Sequence, residues 1–364
     1  MIRFKKIYFI GICLAFAACD QDKQENDAVI DQEPTLFTTM STEETGIGFV
    51  NAIKNQSDFN IFKYRNFYNG GGVAIGDINN DGLEDIYFTS NQNSNKLYLN
   101  KGDFKFEDIT SQAKVTDDDG WTTGVTMVDI NNDNWMDIYI CKSASLKNNS
   151  LRKNKLYVNQ KNGTFKDEAK LWGLDENGFS VQSYFFDYDK DGDLDMYLVN
   201  HRPDFEESNK IEIKSERMHY KQLSDHLFRN DGNKFKDVTL KAKVLNKDWG
   251  LSASIGDFNN DGWLDIYVAN DFISPDYLYI NNKDGTFSNE INTRLKHISV
   301  NSMGSDYADI NNDFLPDLTV LDMLAEDHRR GKENMASMST ENFMSMVEVG
   351  YHHAYMANML HFNT

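Results

Sequence analysis

Short segments in which apolar and polar residues alternate recur along most of the chain, and Gly, Asn or Asp residues bound each segment. From Gly70 onward, a repeat opens with small and apolar residues, as in 72–77, and continues with an Asp-x-Tyr segment, as in 85–89. A Leu-Tyr-x-Asn segment (96–100) and a Phe-containing segment (104–108) complete the repeat. Alternating β-branched and aromatic residues between turn residues predict strands, and repeats of short strands at this spacing predict propeller blades.

The pattern occurs five times and predicts an all-β fold, a β-propeller of four-stranded blades with small helical insertions. We expect the propeller domain over residues 46–364. The predicted blades cover about residues 66–115, 119–172, 178–240, 249–292 and 298–364. The fifth repeat stops after its third strand, so we expect this blade to be incomplete and further blades to follow.

The first strand of each repeat is rich in small residues, as expected for innermost strands that crowd around a propeller axis. The third repeat departs from this rule with the bulky run 182–186. This bulk predicts that the third blade either plugs the central channel or is tilted.

Carboxylates are concentrated in the loop between the first and second strands. In the third repeat, Asp187, Asp189, Asp191 and Asp195 occupy positions 1, 3, 5 and 9, and Gly192 occupies position 6. Like charges this close repel one another unless a cation lies among them. Calcium suits such a loop because it takes six to eight oxygen ligands in a flexible shell.

The same 1-3-5-9 spacing occurs in all five repeats, so the sequence predicts up to five bound Ca²⁺ ions. The predicted ligands in the other four loops are Asp77, Asn79, Asp81, Asp85, Asp129, Asn131, Asp133, Asp137, Asp257, Asn259, Asp261, Asp265, Asp309, Asn311, Asp313 and Asp317. The fifth loop is predicted to be the weakest, because Phe314 replaces the turn glycine and Pro316 stiffens position 8. We expect Asp193, at position 7 of the third loop, to point away from the ligand shell.

The loops have two other interpretations. An EF-hand requires Glu at position 12, but every loop has an apolar residue there, which excludes that motif. Asx turns, in which Asp and Asn accept hydrogen bonds from their own backbone without a metal, stay open as an alternative for single weak copies.

The N-terminal residues 1–18 are typical of a lipoprotein signal peptide, in which basic residues precede an apolar run (7–16) too short to span a bilayer. The segment 16–19 resembles the bacterial lipobox and predicts lipidation of Cys19, whereas ordinary signal-peptidase cleavage after Ala18 is the alternative. Residues 19–45 are expected to form an acidic, flexible tether. We therefore expect an exported protein, lipid-anchored at the bacterial outer membrane or cell surface.

The net charge of −20 argues against nucleic-acid partners, which require clustered Lys and Arg. Beyond the leader the chain has a single cysteine, Cys141, so a disulfide framework is excluded. No nucleophile elbow, phosphate-binding loop or HExxH motif is present, so we expect no enzymatic activity.

A few other side chains were considered for binding. His352 and His353 are neighbours and would chelate poorly, so we expect one to be exposed and one packed. Trp121 and Trp249 are expected to pack between blades rather than to bind sugars.

Insertions at 201–224 and 322–357 either bind a partner or only cover a propeller edge. The residues around the first insertion that could line a carboxylate or sugar site are His201, Arg202, His219 and His226.

The motif Gly-x-x-x-Gly-Asp-x-Asn-x-Asp-Gly-x-x-Asp (72–85), followed by Leu-Tyr-x-Asn (97–100) and, in other repeats, Gly-Thr-Phe (163–165), resembles the FG-GAP/VCBS repeat family. Integrin α-subunit propellers belong to this family, and the bacterial cartilage acidic protein-like lipoproteins with an ASPIC/UnbV module are the more similar group. The resemblance implies a calcium-bound propeller, usually of seven blades, with metals on the blade loops.

From these features we expect a calcium-binding, envelope-anchored extracellular propeller that serves as a binding or adhesion scaffold for a protein or glycan ligand of unknown identity. The alternative is an enzyme or accessory protein that acts on extracellular polysaccharide.

Overall fold

The computed structural model describes residues 36–203 and 223–363, apart from residues 233, 247, 273 and 335–339. The predicted signal peptide, Cys19, most of the predicted tether and His219 lie outside the described residues. The chain divides into two compact units, Met1–Met40 and Ser41–Thr364, and the second contains all the sheets described below. Among the described residues, no helix is both long enough and apolar enough to cross a membrane.

Each of the first four repeats forms an antiparallel sheet of four strands that pair in chain order. The first blade comprises β1 Val73–Gly76, β2 Asp85–Phe88, β3 Lys96–Asn100 and β4 Phe106–Asp108. The second comprises β5 Trp121–Val128, β6 Asp137–Ser143, β7 Lys155–Asn159 and β8 Phe165–Asp167. The third comprises β9 Ser180–Phe186, β10 Asp195–Asn200, β11 His226–Asn230 and β12 Phe235–Asp237. The fourth comprises β13 Gly250–Gly256, β14 Asp265–Asn270, β15 Tyr277–Asn281 and β16 Phe287–Asn289. The prediction of four-stranded blades is confirmed.

The fifth repeat has three described antiparallel strands in its main sheet and a separate parallel pair. These strands are β17 Ile298–Ser299, β18 Ser302–Ala308, β19 Asp317–Asp322, β20 Ala354–Tyr355 and β21 Met359–His361. Two helices lie between β19 and β20, within the insertion at 322–357, where small helical insertions were expected. They are α6 His328–Asn334 and α7 Thr340–Glu348. The other described helices are single turns: α1 Thr42–Thr45, α2 Thr110–Ala113, α3 Ala169–Trp172, α4 Thr239–Ala242, α5 Ile291–Arg294, and 3₁₀ turns at Arg65–Tyr68 and Asn149–Arg152.

The hydrophobic cores lie between consecutive blades rather than within one blade. Side chains of the second and third blades form one cluster, and those of the third and fourth blades form another. The bulky residues of β9 belong to these clusters: Phe185 packs edge-on against Tyr139 at 5.8 Å between ring centroids. The Tyr184 hydroxyl accepts a hydrogen bond from Ala253 N at 2.9 Å. These two side chains therefore fill space between blades rather than a channel, and the other alternative, a tilted third blade, stays a prediction.

First strands of neighbouring blades approach closely, which explains their small residues. A Cβ atom at Gly124 of β5 would lie 2.3 Å from the carbonyl oxygen of Val181 in β9. A Cβ atom at Gly256 of β13 would meet the ring of Tyr307 in β18. The expectation that bulk would clash along these strands is confirmed at both positions.

Helix α1 lies within the segment predicted as tether. Ser41 Oγ accepts a hydrogen bond from Glu44 N, and Ser41 N donates one to the Glu44 carboxylate. This capping box satisfies two backbone donors that a helix start would otherwise leave open. Helical structure therefore begins before residue 46, and the tether prediction is corrected for residues 42–45.

Candidate metal centre

The five loops between first and second strands share one backbone conformation. Position 6 has a positive φ in every loop, as the predicted turn glycine requires. Position 4 also has a positive φ, a feature that was not predicted, and Asn or Lys occupies it. Phe314 holds position 6 of the fifth loop at φ 70° with 92% of its surface exposed. A bulky residue in this region is strained, which agrees with the prediction that the fifth loop is the weakest.

The carboxylate at position 1 accepts hydrogen bonds from the backbone of its own loop. In the third loop, Asp187 accepts hydrogen bonds from Asp191 N at 3.2 Å and from Gly192 N at 3.1 Å. The same two bonds occur in the other four loops. Backbone donors at positions 5 and 6 are thus satisfied whether or not a metal is bound.

The carboxylate at position 9 is fully buried and ties the loop to the third strand. Asp195 accepts hydrogen bonds from Tyr188 N at 3.1 Å and from Asn230 N at 2.8 Å. The equivalent pair of bonds is present in all five repeats. Position 9 was predicted only as a metal ligand, so its role as a backbone acceptor is an addition to the sequence-based interpretation.

Burial raises the pKa of four position-9 carboxyls, Asp85, Asp137, Asp195 and Asp265, because desolvation disfavours the charged form. The pKa of Asp195 is raised to about 8, that of Asp137 to about 7 and that of Asp265 to about 6, and neighbouring loop carboxylates act in the same direction. A cation in the loop would oppose this effect by favouring the ionised carboxylates.

The Asn that ends the third strand connects neighbouring loops. Asn159 Nδ2 donates to the carbonyl oxygens of Ile78 in the first loop (2.8 Å) and Met136 in the second (3.1 Å). Asn281 Nδ2 makes the corresponding bonds to the third and fourth loops. The recurring Asn of the Leu-Tyr-x-Asn segment was the signal for this contact in the sequence. The first and second loops are coupled in this way, as are the third and fourth.

The third loop has the donor set best suited to calcium. Carboxylate oxygens of Asp187, Asp189 and Asp195 lie within 4.8 Å of one another. Asp189 Oδ1 is buried, and among the described residues no donor reaches it. Burial raises the pKa of Asp189, and Asp191 and Asp187 raise it further. Three converging hard oxygens and an acceptor without a donor fit a calcium ion.

Asp193, at position 7 of the third loop, lies beside the Asp191 carboxyl. Burial raises the pKa of its carboxyl, and the adjacent Asp191 carboxyl, which is within hydrogen-bonding reach, raises it further. Its Oδ1 atom is buried, and no donor within the described part of the chain reaches it. The converging carboxylate oxygens are those of Asp187, Asp189 and Asp195, without Asp193, so its place outside the ligand shell stays a prediction.

The other loops carry partial substitutes for a cation. In the first, fourth and fifth loops, the position-3 Asn donates its Nδ2 hydrogen to the position-5 Asp at 2.9 Å. In the second and fourth loops, a lysine ammonium lies 3.2 Å from the position-5 carboxylate: Lys161 beside Asp133, and Lys283 beside Asp261. In the third loop, position 3 is itself an aspartate, and Arg229 pairs with Asp231 at 2.8 Å while its charge opposes the rise that burial causes in the pKa of Asp189. This difference separates the third loop from the rest.

Among the candidate histidines that the structure describes, none assemble into a site. His352 is packed, with Nε2 2.9 Å from the carbonyl oxygen of Leu295, whereas His353 is exposed, as predicted. His201 and His226 are both buried, the former within 3.2 Å of the Gly250 carbonyl oxygen and the latter 3.4 Å from Asp237.

Both tryptophans are at least 96% buried, which agrees with a packing role. Trp121 packs against the rings of Phe59, Tyr64 and Phe67, which precede β1. The Arg202 guanidinium stacks over the Trp249 ring at 4.4 Å from its centroid. His201 and Arg202 therefore contribute to packing between the third and fourth blades, not to an open sugar site.

Comparison with known proteins adds the following relatives. The profile of the FG-GAP-like repeat matches residues 58–140, 144–198, 220–268 and 257–320. Cartilage acidic protein 1 of Xenopus tropicalis is 27% identical over 211 residues, which cover 56% of this chain and 29% of that protein. The Homo sapiens protein is 24% identical over 208 residues, covering 56% and 28%. The chain thus spans less than a third of these curated relatives. Among solved structures, the V. cholerae biofilm matrix protein Bap1 aligns with 69% of this chain and 34% of its own, with a TM-score of 0.37 and 15% identity.

Proposed function

Since the chain belongs to the FG-GAP-like repeat family, we propose that it is a calcium-stabilised β-propeller that serves as a binding and adhesion scaffold. The family resemblance inferred from the loop motifs is confirmed by the profile and by the cartilage acidic protein matches. The observation that carries the calcium proposal is the convergence of Asp187, Asp189 and Asp195 oxygens within 4.8 Å.

In this proposal, calcium has a structural role. The residues that would hold it are those at positions 1, 3, 5 and 9, and the ion would supply compensating charge for carboxylates that otherwise repel one another. Asp187 already folds the loop, and Asp195 already ties it to the third strand. Ionised carboxylates held this way would fix the register of the first two strands of each blade.

The loops should differ in calcium affinity. The third loop is expected to bind most tightly because it has the most carboxylates and an unsatisfied Asp189 oxygen. The second and fourth loops should bind less tightly because Lys161 and Lys283 compete with the cation. The fifth should be the weakest because of the backbone strain at Phe314.

We also propose that the protein is exported and lipid-anchored through Cys19, and that its ligand is an extracellular protein or glycan. The basic start, short apolar run and lipobox-like residues 16–19 support this location. Fractionation of cells expressing the wild type and Cys19→Ala would test it. We expect the variant to leave the membrane fraction, and retention there would contradict lipid anchoring.

Thermal unfolding of the purified protein with calcium and with EGTA tests the structural role of the ion. Binding to the native state alone raises stability by mass action, so we expect a large fall of the melting temperature in EGTA that added calcium reverses. Magnesium at the same concentration is the control, because it demands a smaller octahedral shell. Unchanged melting in EGTA would mean that the loops are metal-free Asx turns.

A further inference from the structure

One segment of the second blade is basic, although the chain as a whole is acidic. Residues 142–170 contain eight Lys and Arg residues and two acidic ones, in a protein whose net charge is −20. The structure folds this segment around a groove of about 750 Å³ that is lined by five lysines and four carboxylates. The volume lies within the range of small-ligand sites.

Two lysine ammonium groups share one buried carboxylate beside the groove. The buried Asp117 carboxylate pairs with two ammonium groups, Lys142 at 2.7 Å and Lys155 at 3.0 Å. Lys142 is fully buried and also donates to the carbonyl oxygen of Asp119, so its three N–H groups have acceptors. Lys155 is 23% exposed and reaches the groove. Asp167 of the groove lining also acts on Lys155, so an anionic ligand would share this ammonium group with Asp117 and Asp167.

Positive and negative side chains alternate along the rim of the groove. Lys153 pairs with Asp175 at 2.6 Å, Lys166 pairs with Glu168 at 2.8 Å, and Lys170 is exposed beside them. Exposed ion pairs contribute little to stability, so a ligand carboxylate can replace them at small cost. The rim carboxylates accept hydrogen bonds from hydroxyl groups but repel a dense polyanion. This combination favours a ligand that bears both hydroxyls and well-separated carboxylates.

We propose that this groove binds an acidic saccharide, with a uronic-acid carboxylate held by Lys155, Lys166 and Lys170 and with sugar hydroxyls held by the rim carboxylates. The inference deepens the proposed binding function, since it names the class of ligand, but it does not depend on the calcium sites. The blade supplies the groove from its own strands and the adjoining segments that hold Asp119 and Asp175.

The test is titration of the protein with trigalacturonate, with the heat of binding measured by isothermal titration calorimetry. This short oligomer is used because longer acidic glycans cross-link through calcium. The charge-reversal variant Lys166→Glu/Lys170→Glu changes only exposed side chains, and Lys147→Glu, an exposed lysine in the same segment outside the groove lining, is the matched control. We expect at least a tenfold loss of affinity in the double variant and no change in the control.

Maltotriose, heparin and a single-stranded DNA oligomer are the comparison ligands. The proposal requires that trigalacturonate bind more tightly than maltotriose and than the DNA oligomer. No binding of trigalacturonate, equal loss in the Lys147→Glu control, or equal binding of DNA would overturn it. All titrations use protein whose fold has been verified by circular dichroism in calcium, so a failure of the groove is distinguishable from a failure of the metal sites.

Discussion

Two substitutions in the third loop separate the backbone role of its carboxylates from metal binding. Asp195→Ala removes the acceptor for the N–H groups of Tyr188 and Asn230, so it should destabilise the protein with or without calcium. Asp189→Asn introduces the residue type found at position 3 of the other four loops. It should therefore destabilise the protein only when calcium is present.

The magnitude for Asp195→Ala follows from the two bonds that are lost. A buried donor left without an acceptor costs about 1–3 kcal/mol, and relief of the buried carboxyl's own desolvation offsets part of the sum. We expect a net loss in the free energy of unfolding of about 3 kcal/mol. In EGTA, Asp189→Asn should leave stability unchanged or raise it, because one of several repelling carboxylates is removed.

The assay is urea unfolding followed by circular dichroism, in calcium and in EGTA, for the wild type and both variants. Asp189→Asn should reduce the stabilisation that calcium provides, while Asp195→Ala should lower the urea midpoint in both conditions. If Asp195→Ala leaves the urea midpoint in EGTA unchanged, the backbone role of position 9 is refuted. If Asp189→Asn destabilises the protein equally in EGTA and in calcium, the assignment of Asp189 as a ligand is refuted.

Three further predictions concern single side chains. Phe314→Gly should stabilise the fifth loop by about 1 kcal/mol, since Phe314 holds φ at 70°, and an unchanged urea midpoint would contradict strain there. Lys283→Met removes an ammonium 3.2 Å from Asp261 and should raise calcium affinity at one site, as measured by calorimetry, whereas unchanged affinities would show that the ammonium does not compete. Burial raises the pKa of Asp276 to about 7, above its unfolded value, so folded-state stability should fall as pH rises from about 4 to about 7. Asp276→Asn should flatten that pH dependence in thermal unfolding, and an undiminished slope would contradict the assignment.

The blade strands and the loop spacing could be predicted from the sequence because both are local patterns. A strand is indicated by apolar and polar residues that alternate with a period of two. The 1-3-5-9 spacing places alternate side chains on one side of a turn. The number and order of strands per blade follow from the repeat itself. The structure agrees with these predictions for the first four blades.

Features that depend on contacts between repeats could not be predicted in the same way. The bulk at 182–186 suggested a plugged channel, but the spaces between blades accept Tyr184 and Phe185. Lys161 and Lys283 follow the third strand, more than 20 residues beyond the loop residues that they pair with. Only the fold brings these lysines to position 5, so the different character of the five loops is hidden in the linear sequence.

The metal loop and the basic groove of the second blade lie at opposite ends of one strand. Asp137, at position 9 of the loop, begins β6, and Lys142 on the groove floor lies five residues further along it. At about 3.3 Å per residue the two groups are separated by about 17 Å, too far for a bound calcium ion to contact a ligand in the groove. Charge screening at physiological salt, with a Debye length of about 8 Å, further weakens direct electrostatic coupling. Any effect of calcium on saccharide binding should therefore act through the order of β6, and should vanish under conditions in which the second blade stays folded without calcium.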